Sequence, residues 1–144
     1  MTMPQLSVFM ENRAGQLVEI TSVLAENNID LRAINIAETA DYGVLRLITD
    51  DPRRSAAILS EQGFIVAVTY VVAMAVPDRP GALNEALRVL ARENIDIEYM
   101  YSVFGHKNGM AYMIFRVADP DRLCDVLEEN GFTVTDGTDL GIQR

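Results

Sequence analysis

Apolar and polar positions follow two different periods along this chain, and the same order of patterns occurs twice. Short β-prone runs at 5–10 and 71–76 end at the loops NRAG and DRPG. After the first loop, Leu17, Ile20 and Leu24 are spaced as on one face of a helix, and the same spacing follows the second loop. The pattern predicts a strand, a loop and a helix at the start of each half.

The two halves are copies of each other. A shift of 66 positions places Gly15 on Gly81 and aligns the loops and first helices without a gap. After the second strand the shift becomes 68, which places Gly63 on Gly131. The chain is therefore an internal repeat in which two residues are inserted near the second turn.

Each half continues with two strands, a second helix and a last strand. The second helices begin at Asp51-Pro52 and Asp119-Pro120, because aspartate is a good N-cap and proline suits the first helical position. The order β-α-β-β-α-β predicts an α+β fold with two ferredoxin-like units, each a four-stranded antiparallel sheet with two helices on one face. We expect the domains to span 1–69 and 70–144.

Charge argues against some classes of partner. The formal net charge is -9, from 21 acidic and 12 basic residues, and Lys107 is the single lysine. Nucleic acids and anionic membrane surfaces need clustered basic residues, so we expect neither partner. The apolar run at 64–74 is too short to span a bilayer, and no export signal opens the sequence, so we expect a cytoplasmic location.

Catalytic and metal-binding residues are scarce. One cysteine, Cys124, and one histidine, His106, provide neither a disulfide nor a Cys/His metal site. Neither a nucleophile-histidine pair nor a glycine-rich phosphate loop has support, so we expect no enzyme activity, no catalytic residue, no metal and no cofactor. Cys124 is predicted to be a buried core residue, with a reactive thiol as the alternative, and His106 an exposed turn residue.

The repeated loops have a chemistry of their own. Amides in the first turn of a helix lack internal partners, and the helix dipole favours a negative charge there. Gly15 and Gly81 have no Cβ, so a carboxylate could lie directly against the backbone. The alternative is that these glycines only serve the turn, and that Arg13 and Arg79 are solvated loop residues.

The element order and the segments ENRAGQL, PDRPGAL, ENNIDL and RENIDI resemble the ACT domain, twice over and across essentially the whole chain. The first copy is similar to the start of the regulatory subunit of acetolactate synthase. The whole resembles stand-alone tandem ACT proteins without a catalytic domain. This resemblance implies an amino-acid sensor whose ligand lies between paired ACT domains, held by the loop after the first strand and by the start of the second strand.

The resemblance also implies a set of ligand-binding residues, in the two loops and at the two strand starts. They are Asn12, Arg13, Ala14, Gly15, Gln16 and Leu17; Asp78, Arg79, Pro80, Gly81, Ala82 and Leu83; Asn28, Ile29 and Asp30; and Asn94, Ile95 and Asp96. Amides around the two glycines would hold the ligand carboxylate. Backbone carbonyls or the aspartates would accept hydrogen bonds from its ammonium group.

Two functions fit these features. The first is a non-catalytic sensor that binds a free amino acid or a similar small carboxylate and regulates amino-acid metabolism. The second is a ligand-free assembly module, or a separate regulatory subunit of a metabolic enzyme. Exposed edge strands predict a homodimer in either case. Ala14 corresponds to Pro80 in the second loop, so the two loops need not be equivalent.

Overall fold

The computed structural model describes residues 1–11, 13–38, 42–105 and 107–143. It divides into two compact units, which we name after the repeats. The first-repeat unit contains Pro4–Thr69 and Leu140–Arg144, and the second-repeat unit contains Met1–Met3 and Tyr70–Asp139. Each compact unit therefore includes a short terminal segment of the chain in addition to its own repeat.

The first-repeat unit contains a sheet and two helices. Its elements are β1 (Met3–Glu11), α1 (Gln16–Glu26), β2 (Leu31–Glu38), β3 (Tyr42–Thr49), α2 (Pro52–Glu61) and the first part of β4 (Ile65–Pro77). The strands are hydrogen-bonded in the order β2-β3-β1-β4. β3 is antiparallel to both β1 and β2. β2 therefore lies at an edge of this sheet.

The core of this unit lies between the sheet and its helices. Alternate strand residues point to one face, where they meet the apolar stripes of α1 and α2. The buried cluster consists of Leu6, Val8, Leu45 and Leu47 from the strands, Ile20 and Leu24 from α1, Ile29, and Leu59 from α2. Both helices therefore cover the same face of the sheet.

The second-repeat unit has the same plan. Its elements are the remainder of β4, α3 (Ala82–Arg92), β5 (Tyr99–Ser102), β6 (Met110–Arg116), α4 (Pro120–Glu129) and β7 (Thr133–Thr135), and a 3₁₀ turn (Thr138–Leu140) follows. β4 pairs antiparallel with β6 and β7, and β5 pairs with β6. α3 and α4 are buried against Val72, Met74 and Phe115. The predicted fold class is confirmed.

One strand joins the repeats. The sequence predicts separate strands at 64–68 and 71–76, whereas the structure has one continuous strand, β4. Thr69 and Tyr70 connect the two runs, and both residue types favour extended backbone. No glycine, proline, asparagine or aspartate interrupts β4 before its last residue, Pro77, so nothing ends the strand at the boundary between the repeats.

The helix start and stop signals are confirmed. The side chains of Asp51 and Asp119 accept hydrogen bonds from the amides three residues later, at 3.2 and 3.1 Å. Each is followed by proline in the first turn. Gly63 and Gly131 end these helices with φ of 89° and 83°. That left-handed conformation favours glycine and lets the last carbonyls bond the following amides.

We predict that Asp119→Ala lowers the free energy of unfolding by about 1 kcal/mol, because α4 loses its N-cap. Urea denaturation followed by circular dichroism measures the change. Asp125→Ala is the matched control, since Asp125 is exposed on the same helix and its replacement changes stability by about 0.5 kcal/mol at most. Equal midpoints for the two variants would contradict the assigned cap.

Candidate functional site

The two repeated loops share one backbone conformation. Gly15 and Gly81 are the N-caps of α1 and α3, each with φ of 87°, and neither helix has a side-chain cap. A Cβ added to either glycine would meet no atom within 4 Å. The left-handed backbone therefore requires glycine here, independently of any ligand, and both helix starts are open to approach.

The first turn of α1 leaves amides available. The amide of Gln16 donates to the Arg13 carbonyl at 3.4 Å, and that of Glu19 donates to the Gly15 carbonyl at 3.0 Å. Between them, the amides of Leu17 and Val18 have no backbone acceptor in the part of the chain that the structure describes. These are the unpaired donors expected at a helix start.

Arg13 is held by two carboxylates. Its Nε donates to Glu11 at 3.2 Å, and its Nη2 donates to both carboxylate oxygens of Glu19 at 3.1 and 3.0 Å. Its Nη1 has no acceptor among residues 1–11 and 13–38 or the other described ranges. Glu19 and, less strongly, Glu11 raise the pKa of the guanidinium, which is therefore always charged.

Gln16 connects the loop to the strand before it. Its side chain is buried, although the loop around it is exposed. Its Oε1 accepts from the Glu11 amide at 3.3 Å, and its Nε2 donates to Glu19 at 3.2 Å. A buried carboxamide with both ends bonded is costly to misplace, so Gln16 fixes the orientation of Glu19.

A surface groove of about 740 Å³ lies beside this loop, and we call it the first-repeat groove. Its lining residues are Phe9, Met10, Glu11, Arg13, Gln16, Glu19, Tyr42, Gln62, Gly63, Phe64 and Ile65. The lining combines the linked charged side chains of Glu11, Arg13 and Glu19 with several apolar side chains. Phe9 and Ile65 are 42% and 69% exposed. Two such exposed large apolar side chains in the lining of one groove are unusual.

Among the described residues that were predicted in the first loop, Arg13 and Gln16 line this groove. Ala14 and Gly15 are exposed in the loop, and Leu17 packs against the core. Asn12 lies outside the described residues, as does the predicted turn residue His106. The structure therefore brings part of the predicted loop set together with an apolar wall that sequence reasoning missed.

The second loop differs in its contacts. Nη2 of Arg79 donates to Glu85 at 3.2 and 3.3 Å, and Nη1 donates to the carbonyl of Pro80 at 3.4 Å. The amide of Asp78 donates to the carbonyl of Gly109 at 2.8 Å. Ala82 is buried, and Leu83 packs against the core. The arginine-glutamate pair is thus present in both repeats, while its surroundings are not.

The first strand start is occupied by contacts within the protein. The amide of Asp30 donates to the Asp50 carboxylate at 2.9 Å, and the Asp30 carboxylate accepts from Arg32 at 2.9 Å. Nε of Arg32 donates to the carbonyl of Leu140 at 3.0 Å. Ile29 is buried in the core. Asp30 therefore already has a cationic partner.

The second strand start lines a separate cavity of about 170 Å³. Its lining residues are Asn94, Ile95, Asp96, Val117, Ala118, Asp119 and Arg122. Asn28 and Asn94, at the two equivalent positions, both have φ of 57°. They turn the chain from helix to strand, which is a structural use of asparagine in the left-handed region. Neither strand start contributes to the lining of the first-repeat groove.

Other chemistry is limited in the described ranges. Cys124 is buried in the core of the second-repeat unit, as predicted. Burial raises the pKa of its thiol, which disfavours the reactive thiolate. Within residues 1–11, 13–38, 42–105 and 107–143, no cluster of three or more potential metal ligands occurs. No helix in those ranges has both the length and the apolar character needed to cross a membrane.

The chain matches the family model of the ACT domain pair over residues 1–142, and it belongs to that family. Protein BT0572 from Bacteroides thetaiotaomicron is 41% identical, with a TM-score of 0.89 over 98% of this chain and 96% of that chain. Among curated proteins, no significant match is found. The similarity of the first copy to the acetolactate synthase regulatory subunit stays a prediction.

Two more distant structures share the fold. The regulatory subunit of aspartate kinase from Thermus thermophilus is 13% identical, with a TM-score of 0.61 over 89% of this chain and 92% of that chain. A structure of aspartokinase alpha and beta subunits is 16% identical, with a TM-score of 0.56 over 88% and 90%. At such low identity the likeness concerns the fold alone.

We predict that the Cys124 thiol reacts with Ellman's reagent at least about tenfold more slowly in the native protein than in urea, because thiolate formation and access are both restricted. The absorbance of the released thiolate at pH 8 measures the rate. Comparable rates in the two states would restore the reactive-thiol alternative.

Proposed function

We propose that this protein is a non-catalytic sensor that binds an amino acid and regulates amino-acid metabolism. One observation carries the proposal: Arg13 is bonded to Glu11 and Glu19, and these three residues line a groove together with apolar side chains. Membership of the ACT domain pair family supports it, because the ACT resemblance implies amino-acid binding. We also propose a cytoplasmic location.

The three charged residues of the groove, Glu11, Arg13 and Glu19, suit a zwitterion. Nη1 of Arg13 would donate to the ligand carboxylate, and hydrogen bonds between charged groups are about twice as strong as neutral ones. The helix dipole and the first-turn amides of α1 favour the same negative group. The carboxylates of Glu11 and Glu19 would accept from the ligand ammonium. A ligand with only a carboxylate would bond to the arginine alone, and one with only an ammonium group would bond to the glutamates alone.

The other predicted residues retain a proposed role. In the ACT arrangement, a strand start from a paired ACT domain completes the site beside the loop. Asp96 is exposed and lines a cavity, whereas Asp30 is paired with Arg32. We therefore expect the second strand start to be the more available of the two for a ligand ammonium.

An assembly role has its own support. β2 and β5 are edge strands, and edge strands are templates for pairing with another chain. Ile36 on β2, and Val68 and Tyr70 on β4, are exposed apolar side chains. We propose that the protein forms a homodimer, and that its regulatory action includes a metabolic enzyme as a partner.

Thermal-shift screening against the proteinogenic amino acids tests the sensor proposal. We expect at least one of them, at millimolar concentration, to raise the melting temperature by about 3 °C or more, because a ligand that binds only the folded state stabilises it. Gly15→Asp should abolish this shift, since it places a carboxylate where the ligand's would lie; the strain of a side chain at positive φ is reproduced in the control variant.

Gly131→Asp is the matched control, because Gly131 has a similar positive φ and lies at the end of α4. This variant should retain the ligand-induced shift. If no amino acid moves the melting curve of the unmodified protein, the sensor proposal is wrong and the assembly role replaces it.

Light scattering coupled to size exclusion tests the homodimer. We expect twice the chain mass of 16.0 kDa at micromolar concentration. Ile36→Lys should shift the population towards monomer, since a charge on an edge strand opposes pairing. Val18→Lys is the control, because Val18 is also an exposed apolar residue but lies on a helix. A monomer mass at high concentration would exclude the dimer.

A further inference from the structure

We propose that the first-repeat groove selects an amino acid with a large apolar side chain, and that the chain binds one such ligand rather than two. This inference rests on the proposed function and specifies its ligand class and stoichiometry. It follows from the combination of linked charged groups and exposed apolar side chains in one groove, and from the differences between the repeats at equivalent positions.

The charged groups of the groove are linked to one another. Glu11, Arg13 and Glu19 form a linked set with a net charge of -1. Gln16 holds this set in place by bonding both the strand end and Glu19. An acidic ligand side chain would meet like charge here. The set matches the ammonium and carboxylate that every free amino acid carries, so these three residues do not discriminate among ligands with neutral side chains.

The exposed apolar residues of the groove distinguish one ligand side chain from another. Phe9, Tyr42 and Ile65 are 42%, 49% and 69% exposed and line the groove together. An apolar ligand side chain removes this surface from water, which favours binding. A polar or charged side chain would lose water against the ring of Phe9 and the methyl groups of Ile65 without gaining hydrogen-bond partners from them. Preference for a large apolar side chain follows.

The second repeat retains the charged pair but not this wall. Phe9 pairs with Val44 in the first sheet, and Ala75 pairs with Tyr112 at the same place in the second. Ala75 thus stands where the first repeat has Phe9. In the aligned sequence, Thr133 replaces Ile65, and Ala82 replaces Gln16. The second repeat therefore lacks the exposed phenyl ring, since Tyr112 is buried, and it lacks the buried carboxamide.

The two arginines differ as well. Nη1 of Arg79 donates to the Pro80 carbonyl within its own loop. Nη1 of Arg13 makes no such bond to the residues that the structure describes. Pro80 has replaced Ala14 in this loop. The second arginine is therefore bonded at Nη1 within its own loop, while Nη1 of the first has no such bond among the described residues.

Isothermal titration calorimetry tests the ligand class. L-leucine, L-methionine and L-phenylalanine are compared with L-serine, L-aspartate and L-lysine. We expect at least one apolar ligand to bind with one site per chain, and roughly tenfold or more tighter than any polar one, the ratio typical of burying a side chain of this size.

Paired variants locate the site. Arg13→Ala should abolish binding, whereas Arg79→Ala, the same change in the other repeat, should leave affinity and stoichiometry unchanged. Phe9→Ala combined with Ile65→Thr gives the wall of the second repeat and should weaken apolar ligands by about tenfold or more. Both side chains are exposed, so the fold should persist. Val18→Ala is the control for an exposed apolar residue outside the groove.

The outcomes separate this inference from the function on which it rests. Two ligands per chain, equal losses in Arg13→Ala and Arg79→Ala, or a polar amino acid that binds as tightly as the apolar ones would each overturn the inference and leave the sensor function in place. Absence of binding by all amino acids would overturn both.

Discussion

The left-handed backbone at the strand-to-helix junction is the constraint on which each unit depends. Gly15 and Gly81 have φ of 87° and nearly identical ψ of -14° and -13°. This conformation turns the chain from the end of a strand into a helix that packs back on the sheet, and only glycine adopts it at little cost. The same turn places the guanidinium of Arg13, which lies before the helix, beside the carboxylate of Glu19, which lies in the first turns of α1.

Duplication has preserved the scaffold more strictly than the surface. The apolar contacts of the two cores, the aspartate caps and the left-handed stops occur at equivalent positions in both repeats. Phe9 and Ile65 of the groove do not follow this rule, because an exposed side chain carries little of the folding free energy and is free to change. Phe9 and Ala75 occupy the same place in equivalent strands, yet they offer very different surfaces to a ligand.

Sequence reasoning was sufficient for the elements and insufficient for the site. Caps, stops and periodicity are local signals, so the order of helices and strands could be predicted in both halves. The apolar wall was missed because Phe9 and Ile65 look like ordinary strand residues until a sheet shows which side chains remain exposed. The hydrogen bond from Arg32, the partner of Asp30, to the carbonyl of Leu140 joins residues 108 positions apart and has no local signal.

The contacts of Arg13 also bear on how tightly a sensor of this kind should bind. Glu11 and Glu19 immobilise the guanidinium before any ligand arrives, which lowers the entropy lost on binding. The same carboxylates compete with the ligand for that charge and repel its carboxylate across an exposed, well-hydrated site. The fixed position of the guanidinium would favour ligand binding, and competition from the two carboxylates would oppose it. The affinity for an amino acid would therefore depend on the apolar wall. If the proposed sensor function holds, such a site would bind its ligand mainly through the apolar side chains of the groove.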